Sequence, residues 1–397
     1  MKILYVDANV WHLNPTANLQ PVLVRESFPD AHCFGPGFSR QEDVARGLRP
    51  YVDAAGPFDV VLVGPNTPIL ADGADAIEDA VGYLRRFSAH RLADAELARF
   101  FSDVRSSLAV LDVPIRLVSV LNYDSYAATQ RQVDRLLECG LGVLGPNDQF
   151  VLRLEDLPDF ATRERHYVRK AERFSDAWHD FLVEYPERVV TALHFVGAHE
   201  FFFEPLDVRP YEVAVPGVEY LLRKEAVKHL AGSGWKTASK GYFHFYRLAN
   251  RIGLPVYSHP LALRFYNLFF QRTLADTRCL YTARGGFGMP IRKFFEIPAA
   301  GALLLCSPCC GYEDLGFEDG HHYIAVEPDE LLDVLAEWLS DSHAAQKIAW
   351  AGQAVAMSRH SLSARGAQIS RCLKAMLAGT YAGARWKRGE FRVLEKT

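Results

Sequence analysis

Short aliphatic runs alternate with longer amphipathic stretches along this chain, and that alternation restricts its possible folds more than any other feature. Ile3–Val6, Val60–Val63, Arg116–Val120, Gly142–Leu144 and Val189–His194 read as strands. They are mostly apolar along their length, so both faces ask for cover. Between them, Asp75–Phe87 and Ala93–Leu111 carry a helical spacing of apolar residues. Strand–helix alternation of this kind implies a parallel sheet with helices on both faces.

The pattern restarts in the second half. Tyr211–Val215, Pro255–Tyr257, Arg278–Tyr281, Ala302–Cys306 and His322–Val326 read as strands, and Pro328–Ser340 as an amphipathic helix whose first turn holds a proline. The charged stretch Asp156–Glu187 reads as surface helices linking the halves. The expected organisation is α/β, with two Rossmann-like domains facing a cleft: residues 1–190, residues 191–365, and a C-terminal helix and basic tail over 366–397. One helical stretch is expected from Ala344 to Ala378, and Arg385–Thr397 reads as a loose tail. Ligands of such folds bind at the carboxyl ends of the strands and between domains.

Composition narrows the function. The 397 residues are 49% hydrophobic, enough for sizeable cores, and the formal charge of −4 does not recommend nucleic acid as a partner. No apolar run approaches the roughly 18–20 residues of a membrane helix. The opening MKILYVD stops being apolar at Asp7 and reads as a first strand, not a signal peptide. A cytoplasmic protein is expected, at most peripheral to the inner face of a membrane, with the basic residues of Arg385–Lys396 as a weak attraction to anionic lipid. Seven cysteines include the cluster Cys306, Cys309 and Cys310, which lacks a second ligand pair at zinc spacing. Reduced thiols are expected, and no metal.

The stretch with most chemical content is Arg284–Leu305, RGGFGMPIRKFFEIPAAGALLL. Gly285, Gly286 and Gly288 form a turn, and a helix starting at Pro290 would hold Arg292 and Glu296 on one face. Glycine amides and a helix N-terminus suit a diphosphate, an arginine neutralises it, and a carboxylate one turn on suits ribose hydroxyls. A plain glycine-rich loop with a helical Arg–Glu pair has the same signature.

RKFFEIPAAGALLL resembles the R-x-F-E-x-x-A-x-G-x-L-L segment of the CgeB-like (spore maturation type) glycosyltransferases. Lys293 holds the family's arginine position, with Arg292 one residue earlier. GFEDGHHYIAVEPDELLDVLAEWLSD and IAWAGQAVAMSRHSLSAR resemble the family's later segments, with Ala356 in place of Val, Ser361 in place of Thr, and His360 and Arg365 retained. The segment from His194 to Leu230, with Arg223, resembles the entry into its second domain. The resemblance spans about Thr191–Leu373 and implies a GT-B glycosyltransferase that takes a nucleotide-sugar donor in its C-terminal domain without metal. It implies diphosphate contacts from Arg292 or Lys293, phosphate contacts from Gly285, Gly286 and Arg223, and a ribose contact from Glu296. Gly288 stands where many retaining relatives carry a first glutamate, which tilts the reading toward inversion.

Glycosyl transfer requires the departing diphosphate to be stabilised and an acceptor hydroxyl to lose a proton. Asp124 and Asp7 follow strands, and His12 lies in the loop after the first; each is a candidate base, as is His199-Glu200. The acceptor, a hydroxyl of a polysaccharide, glycolipid or small molecule, stays open. So do two alternatives: a nucleotide-sugar epimerase of the same fold and a non-catalytic nucleotide-sugar-binding protein. The absence of G-x-G-x-x-G after the first strand disfavours a dehydrogenase.

Overall fold

Two parallel sheets organise the chain, and in the first the order in space departs from the order in sequence. The computed structural model describes residues 1–12, 15–71, 73, 75–120, 128–153, 155–156, 175–217, 221–238, 241–252, 259–285 and 288–396. Its strands are β1 (Ile3–Val6), β2 (Trp11–His12), β3 (His32–Phe34), β4 (Val60–Val63), β5 (Ser88–Ala89), β6 (Ile115–Ser119), β7 (Gly142–Gly145) and β8 (Val189–Thr191). In the second half come β9 (Tyr211–Ala214), β10 (Thr277–Thr282), β11 (Leu303–Cys306) and β12 (Ile324–Ala325), and a terminal pair, β13 (Tyr381–Lys387) and β14 (Glu390–Glu395).

The first sheet runs β3-β1-β4-β6-β7-β8 and the second β12-β11-β10-β9, every pairing parallel. In the first, the chain turns back between β1 and β4, which opens a crevice at their carboxyl ends. β1, β4, β7 and β11 are buried throughout, as their uniform apolarity requires. β2 and β5 form a short antiparallel pair beside the first sheet.

Several expectations change, among them the helix expected from Pro328, which begins at Leu331 and leaves the proline outside it. The tail is ordered: β13 and β14 make an antiparallel hairpin. Arg388 and Gly389 at its tip both have positive φ, 48° and 78°, as a two-residue hairpin turn demands. Tyr381, Ala384, Trp386 and Phe391 are buried. The Ala384 carbonyl accepts from Thr191 and Asn147, and Tyr381 donates to the Val189 carbonyl, so the hairpin is fastened to the first sheet. The stretch 344–378 is two helices, Ser342–His360 and Leu362–Leu377, parted at Ser361. There the backbone pairs with Val196 and the serine side chain caps the second helix. β3 was not anticipated. The helix after the glycine turn begins at Lys293 with Arg292 as its N-cap, not at Pro290.

Of the expected connector, Ala177–Glu184 is a helix; residues 157–174, and the expected strand Pro255–Tyr257, lie outside the described residues. The helix Leu362–Leu377 lies against the helix Pro15–Ser27 of the first half. Gly366 permits that approach, since a Cβ there would fall 1.9 Å from Ser27 Oγ.

Candidate functional site

Arg292 is buried at the junction of the two sheets. Its Nε donates to Glu296 Oε1 at 2.8 Å, its Nη2 to both oxygens of Glu200, and its Nη1 to the Phe195 carbonyl. Burial works against its charge, but Glu200 and Glu296 outweigh that and hold it above the ordinary arginine range. The sequence grouped Arg292 with Glu296; the structure adds Glu200, and the pair of carboxylates occupies the guanidinium.

Lys293 turns the other way. Its Nζ faces Glu296 Oε2 at 3.9 Å and lies 4.9 Å from the centre of the Phe270 ring. Burial lowers the ammonium to about 8, against the pull of Glu296 and with help from Arg223 and Arg292. Glu296 Oε2 is buried and accepts no hydrogen bond from the described residues. Gly217 completes this cluster. It follows β9 with φ +91°, and a Cβ on it would fall 2.4 Å from Lys293 Cε and 3.2 Å from Arg223 Nη1. Its amide donates to the Tyr242 hydroxyl at 2.7 Å. Arg223 itself sits, buried, in the first turn of the helix Leu221–Leu230. Two cations, one carboxylate oxygen without a hydrogen bond and a bare backbone thus meet beyond the carboxyl ends of β9 and β10. Such a cluster can take an anion and a hydroxyl together.

The glycine turn is partly closed on itself. The Gly285 amide donates to the Met289 carbonyl, so it is engaged within the turn. Gly286 lies outside the described residues. Gly288 has φ +74°, and its carbonyl accepts from the Cys310 amide. The seven cysteines are free thiols, with Cys306 and Cys309 pushed up by burial. Among the described residues no group of three or more His, Cys, Asp or Glu side chains could hold a metal ion.

In the first half, Asp7 stands at the crevice between β1 and β4, wholly buried. Oδ1 accepts from Ala8 N and Thr67 Oγ1, and Oδ2 from the Tyr5 hydroxyl and from Asn66. Burial raises its carboxyl to about 7, although those donors favour the charged form. His12 belongs to β2, where its backbone pairs with Ser88. Asp124 lies outside the described residues. A cavity of about 460 Å³ opens at the carboxyl ends of β4 and β6, lined by Asn66, Thr67, Leu70, Tyr83, Ser119 and Gln132 among others.

His360 and Arg365 are buried away from the cluster. His360 Nε2 is 2.9 Å from the Leu315 carbonyl, which makes Nδ1 the acceptor for Arg365 Nη2 at 3.2 Å. Arg365 also donates to the His194 carbonyl and lies over Trp386. The two fasten the crossing segment, the last helix and the terminal hairpin together. Nearby, burial and the cations Arg292, Arg365 and Lys293 push the His194 ring down to about 3, leaving it neutral.

Sequence reasoning did not name Gly217 as a site residue, weighed Tyr242 only within an aromatic stretch read chiefly as the apolar face of a helix, and took Glu200 only as a candidate base. The Pro216-Gly217 step after a strand was the available signal for the first.

Residues 200–371 match a family model described as glycosyl transferase-like. Among solved structures, a glycosyltransferase from Rickettsia africae is similar over 95% of this chain and 98% of its own, at 11% identity and a TM-score of 0.50. HepE of Anabaena, in complex with UDP and glucose, is similar over 94% of this chain and 100% of its own, at 14% identity and a TM-score of 0.46. A sucrose-phosphate synthase from Thermosynechococcus elongatus is similar over 96% and 100%, at 11% identity and 0.46. No curated protein matches the chain. The chain has a GT-B-type fold of two Rossmann-like domains.

Proposed function

We propose that this protein is a metal-independent glycosyltransferase of the CgeB-like kind. It moves a sugar, with inversion, from a nucleotide-sugar donor to a hydroxyl acceptor. The observation that carries the reading is the pairing of the Lys293 ammonium with a buried Glu296 oxygen that accepts no hydrogen bond from the described residues, inside the matched segment. Residues 191–365 bind the donor, residues 1–190 offer the acceptor side, and 366–397 return to the first domain.

As the glycosidic bond breaks, negative charge collects on the departing diphosphate. Lys293 and Arg223 are the cations fixed to receive it, and positive charge fixed in advance is effective because it needs no rearrangement during the reaction. Glu296 Oε2 accepts from a ribose hydroxyl. Gly217 leaves room for the ligand to approach the backbone. Arg292 acts behind them: it holds Glu296 by one oxygen and leaves the other for the ligand.

The acceptor loses its proton to a carboxylate of the first domain. We assign that role to Asp124, ahead of His12 and ahead of Asp7, whose two oxygens already take several donors. Asp124→Asn should abolish transfer and leave nucleotide binding intact; normal turnover in that variant removes Asp124 as the base.

The reading is tested by a thermal-shift screen against UDP, GDP, CDP, ADP, dTDP and CMP and their sugar conjugates, with and without Mg²⁺. A ligand that binds only the folded state raises the melting temperature. One nucleotide should do so without metal, and Lys293→Met should lose the effect. If no nucleotide shifts the transition at millimolar concentration, the donor reading is wrong.

A further inference from the structure

Between Glu225 and Asp276 the chain has no acidic residue, although the whole chain carries 48. That stretch contains two helices packed on each other, Gly241–Arg251 and Pro260–Ala275. Their inner sides are aromatic. Tyr242 meets Tyr266 and Phe270 edge-on, and Ala249 and Leu263 pack with Ala89 of the first half. Their outer sides mix apolar side chains with basic ones. Leu248, Ile252, Leu261, Phe265, Leu268 and Phe269 are between 43% and 62% exposed. On the second helix every exposed residue past Pro260 falls at Leu261, Arg264, Phe265, Leu268, Phe269 and Arg272, which is one continuous helical face. Arg247 and Arg251 are exposed beside Leu248 and Ile252 on the first.

A water-facing helix stripe that alternates apolar side chains with arginine, and never with acid, is suited to an interface that is apolar below and anionic above. We propose that this helical pair docks the protein on an anionic lipid leaflet. Leu261, Phe265, Leu268 and Phe269 enter the acyl boundary, and Arg247, Arg251, Arg264 and Arg272 reach back to the headgroup phosphates. A second copy of the chain is the wrong occupant by charge, because an isologous contact sets the same arginines against themselves. No helix among the described residues is long and apolar enough to cross a membrane, so the attachment lies on the surface. The inner side of the pair carries Tyr242 and Phe270, the neighbours of Gly217 and Lys293. The leaflet therefore sits one helix layer from the charged cluster. The docking proposal rests on exposure and charge alone and stands apart from the donor reading.

The test is co-sedimentation of the full chain with vesicles of phosphatidylcholine alone and with added phosphatidylglycerol. Binding should need the anionic lipid and weaken as salt rises, since screening shortens from about 10 Å at 0.1 M to about 3 Å at 1 M. The double variant Phe265→Glu/Leu268→Glu should bind roughly tenfold more weakly or not at all. Arg264→Gln/Arg272→Gln should bind less and with a flatter salt dependence. Both variants alter exposed positions and should keep the wild-type melting temperature, which separates lost docking from lost folding. The proposal is overturned if wild type stays in the supernatant, or if the Glu variant binds as well as wild type. A dimer in sedimentation equilibrium that the Glu variant dissolves, without vesicle binding, assigns the face to a second copy and also overturns it.

Discussion

Nη2 of Arg292 donates to both carboxylate oxygens of Glu200, at 2.5 and 2.7 Å, although 92 residues separate the two in sequence. Glu200 closes the short turn that follows the crossing from the first sheet to the second, and Arg292 caps the helix that carries Lys293 and Glu296. The contact is a joint between the crossing and the donor-side helix.

Arg292→Ala should therefore act on stability first. Breaking one side of a buried pair strands the other charge, at about 3–5 kcal/mol. Equilibrium urea unfolding measures this. Unchanged stability together with lost nucleotide binding would mean that Arg292 touches the ligand, not the frame.

Lys293 gives a signature in pH. Its folded value of about 8 lies below its ordinary 10.5, so between those values the folded chain lacks a proton that the unfolded chain holds. Stability from this group accordingly rises as pH goes from 8 to 10.5. Affinity for a nucleoside diphosphate moves oppositely: it needs the ammonium and should fall once pH passes about 8. Calorimetric titration across that range should show the fall in wild type and a flat profile in Lys293→Arg.

Asp7 works with the reverse sign. Its folded value of about 7 exceeds the ordinary 3.8, so the folded chain holds the extra proton between them. Stability from this group is present at the acid end and is lost as pH rises toward 7, by roughly 4 kcal/mol over the window. Asp7→Asn should flatten that part of the stability–pH curve relative to wild type. Parallel curves for the two proteins would show that Asp7 does not titrate there.

Trp386 is 1% exposed, beside His360 and under Arg365. Trp386→Ala should destabilise the chain by about 3–5 kcal/mol. Because the hairpin is fastened to β8 and the last helix, hydrogen exchange should quicken first at Val189–Thr191 and Leu362–Leu377. Uniform quickening over both sheets would contradict that local attachment.

The parallel strands were legible because burial on both faces leaves an apolar run that nothing else explains, as at Val60–Val63 and Leu303–Cys306. The terminal hairpin was hidden by its charge. Arg385, Lys387 and Arg388 suggested solvent, while Tyr381, Ala384 and Trp386 supplied the buried side of a hairpin whose cover is β8. The helix break at Ser361 has no glycine or proline to announce it, and arises from pairing with Val196. Three-residue β3 was too short to show a period. In the site, Arg292 and Glu296 were legible as neighbours because four residues make one helical turn. The occupation of Arg292 was not, since it depends on Glu200. Gly217 meets Lys293 only through the pairing of β9 with β10, which no local spacing encodes.

The first sheet receives the last residues of the chain: β8 is covered by β13, and the helix Pro15–Ser27 by Leu362–Leu377. The second sheet needs no partner so distant. During synthesis from the N-terminus, the half that emerges first must wait for the final hairpin, while the half that emerges later already has its strands at hand. A chain cut before Tyr381 would thus keep every strand of the second sheet and leave β8 of the first without its cover.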